Sequence, residues 1–253
     1  PYHPVGMTEK TRTIAVAAGQ VTARPLHEAD ATLASLQAAI ADAARRNADL
    51  LVLPECAYPA YLIGSADAYR SAHHLSSTAF VDWLADQAAR HRLHLLSGFV
   101  EESGRRLYNA AVVLDDRGRE VGRARKTLLW NADLDGFAPG DDVRAIDTPL
   151  GRIGIAVCAD TRVPEVLATL LADGAELVAV PTCWVNTAAE PGAFQNPQVS
   201  FLIEARAREF DVPFVCADKA GIETTGVQYV GLSRIVAAGG ALLAEAPPTG
   251  QAV

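Results

Sequence analysis

Short apolar runs alternate along this chain with segments of three- and four-residue hydrophobic spacing, and Gly, Pro and Asp mark the changeovers. Residues 13–20 (TIAVAAGQ) and 50–53 (LLVL) are continuous apolar runs of strand length, the pattern of strands covered on both faces. Between them, Leu33, Leu36, Ile40 and Ala44 share one face of a helix over 30–46. Ser76-Ser77-Thr78 is a helix start signal, followed by Phe80, Trp83, Leu84 and Ala88 on an inward face. Residues 94–100, 107–114 and 121–125 read as three strands joined by turns at 102–104 and 115–118. A polar, glycine-bearing loop (131–142) leads to a strand at 153–157. A helix at 164–172, a strand at 177–181 and a helix at 198–210 follow, then strands at 213–217, 233–236 and 242–246.

Strands joined partly by helices and partly by hairpins predict an α/β fold with two layered sheets and helices packed outside them. The chain has 253 residues, half of them apolar, which suits one large domain with a sizeable core. No linker, repeat or low-complexity stretch divides it, so residues 13–253 read as one domain. Residues 1–12 read as an N-terminal extension, and 1–6, ahead of the only Met at position 7, as lying before the native start.

Charge narrows the partners. The net charge is −8, and no Lys/Arg cluster stands free of acids, so neither nucleic acid nor an anionic membrane is an expected partner. No apolar run approaches the roughly 18–20 residues that span a bilayer, and no signal-peptide apolar region follows the early charges. The four cysteines (Cys56, Cys158, Cys183, Cys216) have no paired spacing. Three sit in or beside apolar runs, as reduced cysteines of a cytoplasmic protein do.

Three residues carry candidate chemistry, and each has an ordinary reading alone. Glu55 ends the apolar run of LLVLPE, where loops of α/β domains build pockets, although a solvated or capping carboxylate sits there equally well. Lys126 closes VGRARK, a common place for a snorkelling surface lysine. Cys158 ends GRIGIAV, where a thiol is often a small buried hydrophobe. The break into Ala-Asp-Thr-Arg-Val-Pro places that thiol at a strand-to-helix corner, beside unpaired backbone N–H groups. Together they form a working set. A carboxylate takes the proton of a thiol that is mostly neutral at pH 7, and an ammonium holds the oxyanion that develops. The six histidines all lie within the first 94 residues, and none is set as a Cys–His partner or in a zinc site.

At these residues the chain resembles the nitrilase superfamily of carbon–nitrogen hydrolases. LLVLPE with Tyr61 resembles the family's glutamate motif, GRARKTLLW its lysine motif, and TPLGRIGIAVCADTRVPE its cysteine motif, in the family's order. Weaker similarity runs from about Thr13 to Pro247. The resemblance implies a four-layer α-β-β-α sandwich, assembled as a homodimer or higher homo-oligomer, with no metal or organic cofactor. It also implies a Glu55–Lys126–Cys158 triad acting through a thioester intermediate, with the Ala159 N–H as second oxyanion donor. The substrate class is a small carboxamide or N-carbamoyl compound that releases ammonia. Ala159 stands where true nitrilases tend to carry Trp, which favours amides over nitriles. A nitrilase, an amide acyltransferase or a catalytically silent binding member remain the alternatives.

Many relatives add an acid in the loop after the lysine. Here Asp135 is expected at that place, with Asp133 as competitor, each one methylene shorter than the usual Glu. Tyr58, Trp130 and Trp184 are expected as pocket walls, Cys56 and Cys183 as residues lining or backing the site, and Cys216 as core. The acidic loop with Asp133, Asp135, Asp141 and Asp142 would suit a cationic substrate and repel a carboxylate unless Arg162 compensates.

Overall fold

A computed structural model describes residues 13–190 and 192–253, so the expected extension over 1–12 lies outside the described residues. The first half contains β1 (Val16–Ala18), β2 (Val21–Thr22), α1 (Ala29–Arg45), β3 (Leu50–Val52), α2 (Ala66–Ser71), α3 (Ser77–His91), β4 (His94–Ser103), β5 (Arg106–Leu114) and β6 (Glu120–Arg125). The second contains α4 (Asp133–Gly136), β7 (Ile146–Thr148), β8 (Gly151–Ile155), α5 (Pro164–Ala172), β9 (Leu177–Pro181), α6 (Ile203–Phe210), β10 (Phe214–Ala217), β11 (Lys219–Thr224), β12 (Val227–Val230), β13 (Arg234–Val236) and β14 (Leu242–Glu245).

These elements form the α-β-β-α sandwich. One sheet has the order β1-β3-β4-β5-β6 and the other β14-β13-β10-β9-β8-β7. Period-two alternation along the strands assigns each side chain to a layer. In the first sheet Leu51, Leu53, Leu95, Ala110, Val112 and Leu114 face outward onto Leu36, Ile40, Phe80 and Leu84 of α1 and α3. Their neighbours Leu50, Val52, Leu96, Ala111 and Val113 face inward, onto Ile153, Ile155, Ala179 and Val215 of the second sheet. Leu167 and Leu170 of α5 and Ile203 and Ala207 of α6 cover the far side of that sheet. The strands with both faces covered are the continuous apolar runs of the sequence.

Strand direction positions the site. β1, β3 and β4 are mutually parallel, as are β8, β9 and β10. Parallel strands bring all their C-terminal ends to one edge of the sheet, where α/β pockets form. Glu55 follows β3, Cys158 follows β8, Cys183 follows β9 and Asp218 follows β10. β6 runs antiparallel to β5, itself antiparallel to β4, so Lys126 leaves β6 toward the same edge.

The structure departs from the sequence reading in several elements. The hairpin β11–β12 was not anticipated, because Thr224, Thr225 and Gly226 interrupt a short and largely polar stretch. With β2 it forms a third, three-stranded sheet beside the site. The expected helix at 198–210 begins as a π-turn over Gln198–Leu202 before α6. The 131–142 loop contains the short helix α4. The chain end also returns to the core: Gln20 bridges Ala252, and the Gln20 amide donates to the carbonyls of Pro247 and Gly250.

Gly98 in β4 lets the segment carrying Glu55 cross the strand. A Cβ there would sit 2.4 Å from the Pro54 carbonyl oxygen and 2.6 Å from the Glu55 Cα. Both are backbone atoms, so the segment itself would have to move. Gly98→Ala is therefore expected to destabilise the fold by about 1–3 kcal/mol and to lower turnover through displacement of Glu55. A thermal melt and a rate measurement check it, and a variant matching wild type in both would contradict this close approach.

Candidate active site

The site is built around a buried ammonium. Lys126 Nζ donates to Glu55 Oε1 at 2.6 Å and to Asp133 Oδ2 at 2.6 Å. Asn109 bridges the same two carboxylates, its Nδ2 donating to Glu55 Oε1 at 2.6 Å and to Asp133 Oδ1 at 3.1 Å. The Trp130 N–H adds a third bond to Asp133, at 2.8 Å. Lys126, Glu55, Asp133 and Asn109 are all buried. Glu55 Oε2, also buried, has no hydrogen-bond partner among the described residues. One carboxylate oxygen is thus held by two donors while the other is free to accept a proton.

Burial works against the ammonium, but Glu55, Cys158 and Asp133 outweigh it and hold the Lys126 pKa well above its usual value. Lys126 is therefore a permanent cation. The Cys158 thiol is pushed up to about 12 by burial and then by the Glu55 charge, with Lys126, the Thr182 hydroxyl and the Cys183 N–H pulling it partly back. At rest the sulfur is protonated, so its activation requires a base at the moment of attack.

Cys158 sits at φ 47°, in the left-handed region that side-chain-bearing residues seldom occupy. The kink ends β8 and starts a tight turn over Cys158–Arg162. Ala159 follows at the start of that turn, where an N–H has no intrahelical partner. Asp160 clamps the arrangement. Its Oδ1 accepts from the Thr127 hydroxyl (2.9 Å) and the Leu128 N–H (2.7 Å), and its Oδ2 accepts from the Val157 N–H (3.1 Å). One carboxylate thereby ties the segment after Lys126 to the corner that carries Cys158. Gln198 supports the corner from the other side, donating from Nε2 to the Cys158 carbonyl at 2.8 Å and to the Thr161 hydroxyl at 3.0 Å.

These groups meet in a cavity of about 560 Å³, with Lys126, Cys158 and Ala159 in its lining. Its walls are mostly apolar, from Tyr61, Leu62, Val185, Leu202 and Val227, with Trp130 and Phe201 exposed. The Arg162 guanidinium lies over the Trp130 ring, 4.2 Å from its centroid. Among the described residues no group of three or more His, Cys, Asp or Glu side chains is placed to hold a metal ion.

The structure brings Lys126, Cys158, Ala159 and Trp130 together at this cavity, with Glu55 bonded to Lys126 behind the lining, and moves three other expectations. Asp133, rather than Asp135, reaches Lys126. Both lie in α4, and two residues along a helix turn a side chain to the opposite side, so Asp133 is buried and Asp135 exposed. Tyr58 is not a pocket wall. It stacks on Phe80 in the helix-side core, with ring centroids 4.6 Å apart, and its hydroxyl accepts from the Leu75 N–H. The aromatic facing the cavity from that segment is Tyr61. Trp184 is also core: Cys183 and Val185 line the cavity, and the alternation of an extended chain turns the residue between them the other way.

Cys56 lies in the apolar cluster that includes Tyr61 and Cys183, and Cys216 is buried on the helix-covered face of the second sheet. Asn109, Asp160 and Gln198 were not singled out from the sequence. Asn109 had a signal, as the one polar residue in the apolar run 107–114.

A family model for carbon–nitrogen hydrolases matches residues 15–253. The chain belongs to that family. A bifunctional nitrilase/nitrile hydratase of Nicotiana tabacum is 27% identical over all of this chain and 80% of its own length. An (R)-stereoselective amidase of a Pseudomonas species is 32% identical over 78% of this chain and 69% of its own. Among solved structures, an amidase of Nesterenkonia sp. AN1, with acrylamide added at its active-site cysteine, superposes with a TM-score of 0.81 at 24% identity. That match covers 93% of this chain and 90% of the amidase. The general reaction of this carbon–nitrogen hydrolase is hydrolysis at a C–N bond.

The two loop acids give a direct comparison. Asp133→Asn weakens the bonds that Asp133 accepts from Lys126, Asn109 and the Trp130 N–H and is expected to cost about 1–3 kcal/mol of stability together with most of the activity. Asp135→Asn should change stability by less than about 0.5 kcal/mol. Denaturant titration of the two variants checks this, and equal effects would contradict the assignment.

Proposed function

We propose that this hydrolase cleaves a small carboxamide through a thioester on Cys158. The observation that supports this most strongly is the free Oε2 of Glu55, on the carboxylate whose other oxygen is bound by Lys126 and Asn109. Glu55 accepts the thiol proton as Cys158 Sγ attacks the carbonyl carbon. The oxyanion forms against the Lys126 ammonium and the Ala159 N–H. Removing one such donor typically slows a reaction by about 10²–10³. Glu55 passes its proton to the departing amine, which leaves as ammonia from a primary amide. Water enters, gives a proton to Glu55 and attacks the thioester, and collapse of the second tetrahedral intermediate returns the thiol and releases the acid.

Asp133 holds Lys126 at the oxyanion position, and Asn109 keeps both carboxylates turned toward it. Asp160 and Gln198 act earlier still, by fixing the corner on which Cys158 stands. Ala159 lines the cavity next to the nucleophile with a methyl group where true nitrilases tend to carry Trp, and this supports an amide over a nitrile. The apolar walls suit an acyl group with carbon chain or ring character. Asp135, Asp141 and Asp142 are exposed and absent from the cavity lining, so the cavity gives no support to a cationic substrate. An N-carbamoyl compound fits the same chemistry with carbon dioxide as an additional product.

Ammonia release from a panel of amides, N-carbamoyl compounds and nitriles, with Cys158→Ala alongside, tests the reading. Release from amides or carbamoyl compounds, lost in Cys158→Ala, is the expected result. Release from nitriles alone, or turnover that survives Cys158→Ala, would overturn it. In Glu55→Gln both formation and hydrolysis of the thioester should slow by at least about 10²-fold, the lower end for loss of a general base. A variant that acylates at the wild-type rate would remove Glu55 from the base role.

A further inference from the structure

Both lysines among the described residues are buried. Lys126 belongs to the catalytic group, and Lys219 stands outside it. Lys219 Nζ donates to Glu223 Oε2 at 3.2 Å, and the Tyr229 hydroxyl donates to the same oxygen at 3.0 Å. The other oxygen, Oε1, accepts from the Leu62 N–H at 2.6 Å. Burial works against the Lys219 ammonium, and the Glu223 charge outweighs it.

The strand that carries this pair inverts the usual pattern. In β11, Ile222 is 63% exposed while Glu223 is 2% exposed. A β-bulge lies there. Ile222 pairs with Gln228 and Thr224 with Val227, so Glu223 is the extra residue, and bulges re-aim side chains in this way. A buried ion pair seldom repays its desolvation in stability, and a local rule broken without a gain in stability marks a functional position.

What the carboxylate holds is a wall of the cavity. Tyr61 and Leu62 line the cavity from a segment outside any helix or strand. A backbone N–H there needs an acceptor, and Glu223 supplies it from 161 positions along the chain. Hairpin β11–β12 carries the adjoining walls as well, since Val227 lies on β12 and Val185 bridges Tyr229. The Tyr61 ring meets the Tyr229 ring edge-on, with centroids 6.3 Å apart, and has Lys126 Nζ 5.8 Å from its own centroid. Tyr61 therefore contacts both the catalytic ammonium and the ring that Glu223 anchors.

We propose that Glu223 is a positioning residue that fixes the apolar wall of the acyl pocket, and that Leu62, held in place by it, selects amides by the length of their acyl chain. This deepens the amide-hydrolase reading and rests on it. Apolar packing is sensitive to position: a gap of about 0.5–1 Å already forfeits a quarter to a half of the attraction. A wall tied through its backbone to a buried carboxylate keeps that contact.

The test is a series of straight-chain primary amides from acetamide upward, with turnover measured in wild type, Glu223→Gln, Tyr229→Phe and Leu62→Ala. Wild type should gain roughly 4-fold in kcat/KM per methylene while the chain lies on the wall, the worth of a buried CH2. Glu223→Gln keeps the shape but removes the charge that holds Lys219 and the Leu62 N–H. It should lower the ratio of the best amide to acetamide by about 10-fold, through KM more than kcat, as lost uniform binding does. Tyr229→Phe keeps the ring, removes one donor from the carboxylate, and should lower the ratio by about 2- to 5-fold. Leu62→Ala should lower it with the ion pair intact, and hydrogen exchange at the Leu62 amide should quicken in Glu223→Gln. Damage to the triad slows every amide alike and cancels in the ratio.

A wild-type ratio that does not rise with chain length, or one unmoved by Glu223→Gln and Tyr229→Phe, would overturn the positioning role while leaving the hydrolase reading intact. Absence of turnover of every amide by wild type would remove the hydrolase reading instead. Kd values for the same series in Cys158→Ala, with and without Glu223→Gln, then decide the positioning role by the same ratio.

Discussion

One ammonium between two carboxylates is the constraint on which the rest of this structure depends. Lys126 meets Glu55 and Asp133 with almost no access to water, where unpaired charges cost several kcal/mol each. Two anions against one cation leave a net negative charge, so the arrangement persists only because Asn109 donates to both carboxylates and the Trp130 N–H to one. Packed hydrophobes would make a more stable interior at that place. The charges are better understood as stored for chemistry: a cation waiting for an oxyanion, and a carboxylate oxygen with nothing yet to bind.

Everything larger serves to bring these groups together. Their chain positions are far apart, and no local motif could gather them. Parallel pairing in the two sheets delivers Glu55 and Cys158 to one edge, two antiparallel steps from β4 to β6 bring Lys126 there, and the period-two alternation of the strands seals the space beneath with leucine, valine and alanine. Gly98 removes the side chain that would block the passage of the Glu55 segment. Asp160 then joins the two sheets by accepting from Thr127 and Leu128 on one side and Val157 on the other. A raised thiol pKa fits this economy. The sulfur rests neutral, which avoids a third buried anion beside Glu55 and Asp133, and in the proposed reaction it is deprotonated only as Glu55 takes its proton.

Much of this was legible in the sequence, for identifiable reasons. Uninterrupted apolar runs such as those holding Leu50 and Val178 could only be strands covered on both faces, and the helix starting at Ser76 carried its own cap, with Ser76 Oγ accepting from the Ala79 N–H. Glu55, Lys126 and Cys158 stood at the ends of such runs, where the resemblance to the nitrilase superfamily also placed them. What stayed hidden depended on turns of one or two residues. Asp133 and Asp135 are indistinguishable in composition, and only the phase of a four-residue helix turns one inward. Trp184 and Tyr58 neighbour site residues in sequence, but alternation turns Trp184 into the core and packing on Phe80 holds Tyr58 there. Residues 219–230 fold as a hairpin that the residue pattern alone does not announce.

The central claim is that Cys158 carries the acyl group in a covalent intermediate. The direct measurement is mass spectrometry of the protein acid-quenched during turnover of a primary amide. The account predicts an added acyl mass on the peptide containing Cys158, absent from Cys158→Ala. Turnover with no acyl adduct, or with the adduct on Cys56, Cys183 or Cys216, would contradict it.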